Sequence, residues 1–254
     1  MQIAGTSAIV TGAASGLGAA TATALANAGV RVIGFDLAAG WERSGPPTTD
    51  GIVPASGDVT NPADVAAALT LLTPDAPLRL AVNCAGIATA ERVLSRNGAH
   101  DLDAFSRVVG VNLIGTFNVL RLAAGAIAAT EPVDAAGQRG LIVNTASIAA
   151  YDGQVGQIAY AASKGGVVAM TLPAARDLAQ FGIRVMTVAP GILDTPLLAS
   201  VTEEFREALA ARVPFPARFG RPDEYAALVL SLAAADYLNG EVIRLDGALR
   251  MPPR

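Results

Sequence analysis

The stretch Ser7-Ala-Ile-Val-Thr-Gly-Ala-Ala-Ser-Gly-Leu-Gly18, "SAIVTGAASGLG", sets an apolar run directly before a glycine-rich turn that opens into a helical pattern. Glycines in such a turn let a backbone approach a pyrophosphate and let a helix pack on a strand, while the helix N-terminus presents free N–H groups to the anion. A tight turn in a chain rich in alanine and glycine is the plainer reading. The order of strand, turn, helix and second strand favours the phosphate, and it makes Gly12, Ser15, Gly16, Leu17 and Gly18 the candidate contacts. The second strand, "RVIGFD", ends at Asp36. A carboxylate there accepts hydrogen bonds from adenosine ribose hydroxyls and repels a 2′-phosphate, and neither Ala14 nor Leu37 supplies an arginine to reverse that preference. NAD is therefore expected over NADP, unless Asp36 merely ends the strand.

Working outward, the same alternation continues. Apolar runs "LRLAVNCAG", "GLIVNTAS", "IRVMTVAPG" and "GEVIRLDG" are interleaved with helical patterns through Gly16 to Asn27, around Val108 to Ala124, and through Tyr160 to Leu178. Nearly continuous valine, isoleucine and leucine runs suit strands buried on both faces, so the expectation is an α/β chain with a doubly wound parallel sheet flanked by helices. No linker or composition shift divides residues 1–254, which read as one domain. Three segments read as irregular: Ala88 to Asp101, Thr130 to Gly140, and Ile192 to Phe219. Long loops at the carboxyl ends of strands are where such sheets bind ligands.

Composition narrows the function classes. A net charge of −4 and a pI near 5.0, with no basic stripe interleaved with aromatics, argue against nucleic acid or an anionic membrane as partner. The first 30 residues carry no charged side chain, but polar residues break every apolar run there and no basic segment comes first, so no targeting segment is expected. One cysteine, Cys84, and one histidine, His100, supply neither an internal disulfide nor a zinc cluster, which points to a cytoplasmic, metal-free protein. A Ser-His-Asp hydrolase would need His100 as its base, and "SRNGAHDLD" reads as a solvated loop. Charged residues make up only 16%, against roughly 25% in an average domain, which suggests surface hidden in an oligomer.

The stretch "IAYAASKG", Ile158 to Gly165, holds the only lysine beside seventeen arginines. Tyr160 and Lys164 lie four apart and share one helix face. With four tyrosines in the chain, a Tyr-x-x-x-Lys pair has a chance expectation of about 0.016. An ordinary surface lysine is the other reading. Against it, the chain uses arginine for every other cation, and a compact ammonium with three rotatable donors can hold two ribose hydroxyls while facing a phenol. Its charge is expected to favour phenolate and draw Tyr160 below the reference value of about 10, towards a working base.

These residues together resemble the short-chain dehydrogenase/reductase family over essentially the whole chain. The resemblance rests on "TGAASGLG", Asp58-Val59, "NCAG" at Asn83 to Gly86, Asn112 in "VNLIGTFN", Ser147 in "NTAS", "YAASK", and Pro190-Gly191 with Thr195. It implies a Rossmann fold, with Tyr160 taking the hydroxyl proton while hydride passes to nicotinamide and Ser147 hydrogen-bonding the same substrate oxygen. Lys164 would hold the nicotinamide ribose, and Asn112 would position a water for proton relay. From the residues alone, Asn112 reads as a buried polar helix residue. The resemblance also implies that Asp58 and Val59 meet the adenine, that Ala85, Gly86 and Pro190 line the cofactor, and that Leu193 and Thr195 sit at its nicotinamide end. Where many relatives read N-N-A-G this chain has N-C-A-G, so Cys84 is expected as a small buried residue on the adenine side rather than a nucleophile.

Within the family, longer stretches resemble the type II 3-hydroxyacyl-CoA dehydrogenases. They are "NCAGIATAERV", "NLIGTFNVLRLAAG", "VNTASIAAYDGQVGQIAYAASKGG", "TPLL", "VPFPARFGRPDEYAALV" and "LNGEVIRLDGALRM". That likeness implies an acyl-CoA substrate, a covering loop at about residues 192–219, and a homotetramer. Arg92 and Arg96 could meet the CoA phosphates or stand as solvated loop charges. Other secondary-alcohol dehydrogenases, acting on a steroid or polyol, and 3-oxoacyl thioester reductases share the fold. A scaffold that binds NAD without turnover would need neither Ser147 nor a phenol base.

Overall fold

A computed structural model describes residues 1–96, 98–196 and 203–253. The glycine turn lies between β1 (Ser7–Thr11) and α1 (Gly16–Asn27), followed by β2 (Arg31–Asp36), α2 (Ala38–Ser44), β3 (Ile52–Ser56), α3 (Pro62–Leu69) and β4 (Leu78–Asn83). Beyond β4 come a hairpin of β5 (Leu94–Ser95) and β6 (Gly98–Ala99), then α4 (Leu102–Val109) and α5 (Thr116–Ala128), joined by a π-helical segment, Gly110–Gly115. The chain continues through β7 (Gly140–Thr145), a 3₁₀ turn at Ile148–Ala150, α6 (Ile158–Ala179), β8 (Ile183–Pro190), α7 (Glu203–Ala210), α8 (Pro222–Ala234) and β9 (Val242–Leu245).

Seven strands form one parallel sheet in the order β3-β2-β1-β4-β7-β8-β9. This is the single-domain, doubly wound Rossmann-like arrangement. The alternation of a strand explains its two cores. Val10, Val82, Val143 and Val188 pack with Leu25, Tyr225 and Val229 on one side, whereas Ile9, Ala81, Ile142 and Val185 pack with Val65, Val119 and Ala175 on the other. Burial on both sides is why the strands carry no regular polar alternation.

Polar groups inside this core are placed deliberately. Arg184 is buried, and its guanidinium donates to the carbonyls of Leu238 (2.9 Å), Leu232 (3.0 Å) and Ala233 (3.3 Å), closing the end of α8. Arg79 does the same beyond α5, donating to the carbonyls of Glu131 (2.8 Å) and Arg139 (2.9 Å). A planar fork reaching several carbonyls explains why these buried cations are arginine.

Two of the segments read as irregular contain secondary structure: the β5–β6 hairpin lies within Ala88 to Asp101, and α7 within Ile192 to Phe219. Of the latter segment, residues 197–202, including the Leu197 and Leu198 of "TPLL", lie outside the described residues. The run Leu102–Ala128 is long and apolar enough by composition to cross a membrane, yet half of its apolar window is buried inside the protein. Because Ile142 is fully buried in the central strand, Ile142→Ala is expected to cost about 2–5 kcal/mol, read as a lower urea midpoint at unchanged slope.

Candidate active site

The sheet order reverses between β1 and β4, the switch point at whose carboxyl ends open α/β sheets form a ligand-binding crevice. Gly12 sits at φ +67°, and a Cβ there would lie 2.9 Å from the Ala85 nitrogen. A Cβ on Gly18 would run into the Gly12 carbonyl oxygen, so both positions need a bare α-carbon. Ser15 stands at the start of α1 without capping it, and no acidic residue occupies the first turn. The first N–H groups of α1 are thus left for an anion. Thr11 Oγ accepts from the N–H groups of Cys84 (3.0 Å) and Ala85 (3.1 Å), which fastens the β4 loop to the glycine turn. Thr11 was not among the expected contacts, although it opens the motif.

Asp36 lies at the carboxyl end of β2, where its carboxylate accepts from the N–H groups of Ala14 (2.9 Å) and Leu37 (2.7 Å). A Cβ on Gly40 would approach Oδ1 to 2.6 Å, so glycine there makes room for the carboxylate. Asp58 folds its own Oδ1 onto the N–H and hydroxyl of Thr60, both at 2.8 Å. The Val59 carbonyl accepts from Asn118 (2.8 Å), and a Cβ on Gly115 would come within 2.6 Å of the Val59 side chain. Both residues are therefore held in a fixed turn after β3.

The Cys84 thiol is buried, as expected, 3.8 Å from Tyr225 Oη and 3.7 Å from Thr145 Oγ, and burial pushes it up. The sulfur thus sits beside two hydroxyl groups at the edge of the apolar core.

Ser147 leaves β7 and caps the following 3₁₀ turn, accepting from Ala149 N–H at 3.1 Å. Tyr160 and Lys164 project from α6 as the spacing predicts, with the ammonium 5.9 Å from the phenol ring centroid. Lys164 is buried and donates to the Thr145 carbonyl at 2.7 Å. Burial lowers it to about 8. Burial also raises the Tyr160 phenol, with the Ser147 hydroxyl drawing it partly back. This reverses the expected direction for Tyr160. A neighbouring ammonium favours the phenolate, but the loss of solvent around it is the larger effect.

Asn112 is a buried polar residue of the π-helical segment, as its place in the sequence suggests. Its amide donates to the Ile87 carbonyl (2.9 Å) and to Ser163 Oγ (3.0 Å), while its oxygen accepts from Ile87 N–H (2.8 Å). With those groups engaged, the amide ties the β4 loop to α6, and the π-helical segment is what aims it there. Ser163, donating in turn to the Tyr160 carbonyl at 2.8 Å, is a partner that spacing did not reveal.

Leu193 is buried after β8, and Thr195 packs against the turn, 3.5 Å from where a Gly16 Cβ would lie. Arg92 and Arg96 stand exposed and make no ion pair with a described residue. Ile148, Val213 and Leu249 form an apolar cluster with Ile192 and Met251 beside Ser147. A cavity of about 90 Å³ opens nearby between Ile192, Leu193, Val213 and Leu245.

A phosphate turn beside a serine, a tyrosine and a buried lysine defines a dehydrogenase class of site. The family model for short chain dehydrogenase matches residues 6–206, and the chain belongs to that family, whose members are oxidoreductases. The chain is 53% identical to the 3-hydroxyacyl-CoA dehydrogenase type-2 of Bos taurus, covering 99% of this chain and 98% of that one. It is 52% identical to the protein of the same name from Homo sapiens, with the same coverage. The crystal structure of 3-hydroxyacyl-CoA dehydrogenase type-2 from Mycobacterium avium superposes with a TM-score of 0.90 at 45% identity, covering 98% of both chains.

A buried lysine lowered to about 8 penalises folding while it stays charged. The cost is fully present below pH 8 and fades between 8 and the unfolded lysine value near 10.4, where both states lose the proton. Lys164→Met is therefore expected to stabilise the fold by roughly 1–3 kcal/mol at pH 7 and to gain less as pH rises, measured by denaturant unfolding across pH.

Proposed function

We propose that this oxidoreductase uses NAD to oxidise the 3-hydroxyl of a 3-hydroxyacyl-CoA to the ketone, reversibly, with 2-methyl-3-hydroxybutyryl-CoA within the class. The observation that supports the reading is that Ser147, Tyr160 and Lys164 meet, with Ser147 next to Ile148 of the Ile148–Val213–Leu249 apolar cluster. The names of the relatives support the acyl-CoA assignment.

The residues present fit the cofactor. The bare α-carbons of Gly12 and Gly18 and the uncapped start of α1 suit the pyrophosphate, with Ser15, Gly16 and Leu17 along it. Asp36 suits unphosphorylated ribose hydroxyls, and Asp58, Val59, Ala85 and Gly86 border the adenosine half. Pro190, Leu193 and Thr195 border the other half. When bound, the nicotinamide supplies the hydride acceptor. The chain's own residues do the rest. Ser147 donates to the substrate oxygen, Tyr160 takes the proton from it, and Lys164 supplies a cation that favours the phenolate. The apolar cluster excludes water and suits an acyl chain, covered by the loop at about 192–219. Arg92 and Arg96 lie where exposed guanidinium groups can meet CoA phosphates.

The acidic pI and the absence of a basic stripe support a cytoplasmic enzyme with no nucleic-acid or membrane partner. Ile114 and Phe117 are exposed on the outer face of the long α4–α5 helix, which supports burial in a homotetramer. Phe117→Asp is expected to lower the assembly size read by light scattering. A monomeric wild type would contradict the reading.

The test is initial rates with acetoacetyl-CoA, using NADH and NADPH in parallel at neutral pH. NADH should be faster by at least roughly tenfold, and Tyr160→Phe should lose about 10²–10⁴ in turnover while keeping NADH affinity. NADH binding without acetoacetyl-CoA reduction would defeat the substrate assignment and favour a steroid or polyol. Equal rates with NADPH would defeat the role of Asp36. Unchanged behaviour of Tyr160→Phe would indicate a binding scaffold.

A further inference from the structure

Tyr225 on α8 is the largest of the fully buried side chains, and it lies in the apolar core beside Leu25, Val229 and Leu232. A phenylalanine would fill the same volume. Burying a hydroxyl in apolar surroundings costs free energy unless it is hydrogen-bonded, so its partner identifies what the hydroxyl does. That partner is Thr145 Oγ, at 2.7 Å. Thr145 is the last residue of β7, and its carbonyl is the group that receives the Lys164 ammonium at 2.7 Å. Cys84 Sγ fills the remaining side of this cluster, 3.7 Å from Thr145 Oγ and 3.8 Å from Tyr225 Oη. A continuous path of contacts thus runs from the far helix to the lysine through a single residue.

We infer that Tyr225 is a positioning residue for catalysis: its hydroxyl holds Thr145 by the side chain, so that the Thr145 carbonyl stays aimed at Lys164 and keeps the ammonium beside Tyr160. The inference rests on the oxidoreductase reading and adds a residue with no place in the glycine turn or the Ser-Tyr-Lys cluster. The backbone holds this peptide plane from one side only, through the Ala146 N–H that shares it with the Thr145 carbonyl. β7 ends at Thr145, and beyond Ala146, whose N–H still reaches the Val188 carbonyl at 2.8 Å, the chain bends into the turn that carries Ser147. Fixing the Thr145 side chain therefore adds a second hold on the residue whose carbonyl meets Lys164, just before the bend. The titratable groups facing Lys164 are Tyr160 on its own helix and Cys84 after β4, and Tyr225 faces Cys84 and Thr145. Among the described residues no carboxylate pairs with Lys164, and its ammonium donates to the Thr145 carbonyl.

The lone lysine makes the test direct. Uniform labelling with ¹³C-lysine gives a single Cε resonance, whose titration reports Lys164 without assignment and without any substrate. In Tyr225→Phe the ammonium loses part of its hold, so the midpoint should fall by about half a unit or more from the wild-type value near 8. Turnover at pH 7 should fall about fivefold, and the acid limb of alcohol oxidation should move to higher pH as Tyr160 loses part of its cation. Thr145→Val should give the same shifts, the double variant no more than either single one, and Thr145→Ser should restore them. A lysine midpoint and acid limb both unchanged in a folded Tyr225→Phe would overturn the inference. Shifts in Tyr225→Phe that add in full to those of Thr145→Val would overturn it as well. If wild type reduces no acyl-CoA, the substrate assignment fails while the lysine titration still decides the role of Tyr225.

Discussion

The site depends on one buried contact, the Lys164 ammonium donating to the Thr145 carbonyl at 2.7 Å. Taking a cation out of water is costly, and a single carbonyl restores only part of what the solvent gave. The lowering of Lys164 to about 8 is the signature of that deficit. The fold tolerates it because the two cores and the capped helices leave stability to spare, and because the ammonium has chemistry to perform. Arg79 and Arg184 show the opposite solution. Each is buried as a planar fork spread over several carbonyls, an arrangement that closes helix ends and serves stability.

What brings the working groups together is register. Thr11 pairs with Asn83, Asn83 with Asn144, and Asn144 with Thr187, so a polar row crosses the sheet one step before its carboxyl edge. Asn83 donates to Asn144 at 2.9 Å, and Thr187 shares a 2.6 Å hydrogen bond with Thr171 of α6. Within this row Asn83 Oδ1 and Asn144 Nδ2 are buried without a partner among the described residues, so the layer is not fully paired. Immediately beyond it the strands release the glycine turn, the Cys84–Gly86 loop and the Thr145–Ser147 bend. The cofactor and substrate groups are thus carried on short exits from rigid strands, where small errors of placement are costly to catalysis.

Much of this was legible locally. The limits of α1 and β2 follow from the glycine turn and from Asp36, and the Tyr160–Lys164 pair follows from helical spacing alone. Helices α3 and α8 escaped the periodicity reading because their alanine-rich faces carry little contrast. Their starts were nevertheless written in the chain, as Asn61 capping Ala63 N–H before Pro62, and as Glu224 accepting from Arg221 N–H around Pro222. The partners of Asn112, the contacts of the Cys84 thiol and the link from Tyr225 to Thr145 join residues far apart in sequence, and no local pattern encodes such pairings. The direction for Tyr160 failed for another reason: a neighbouring charge can be counted from spacing, whereas desolvation exists only once the chain has packed.

The central claim is that this position requires a compact ammonium and not merely a positive charge. Its most direct test is the steady-state turnover of Lys164→Arg beside wild type, with the fold verified by thermal melting. A guanidinium keeps the charge but is too broad to meet one carbonyl while lying beside the phenol, and misplacement of this order costs catalysis roughly 100-fold. A folded Lys164→Arg protein that turns over within a few-fold of wild type would contradict the account.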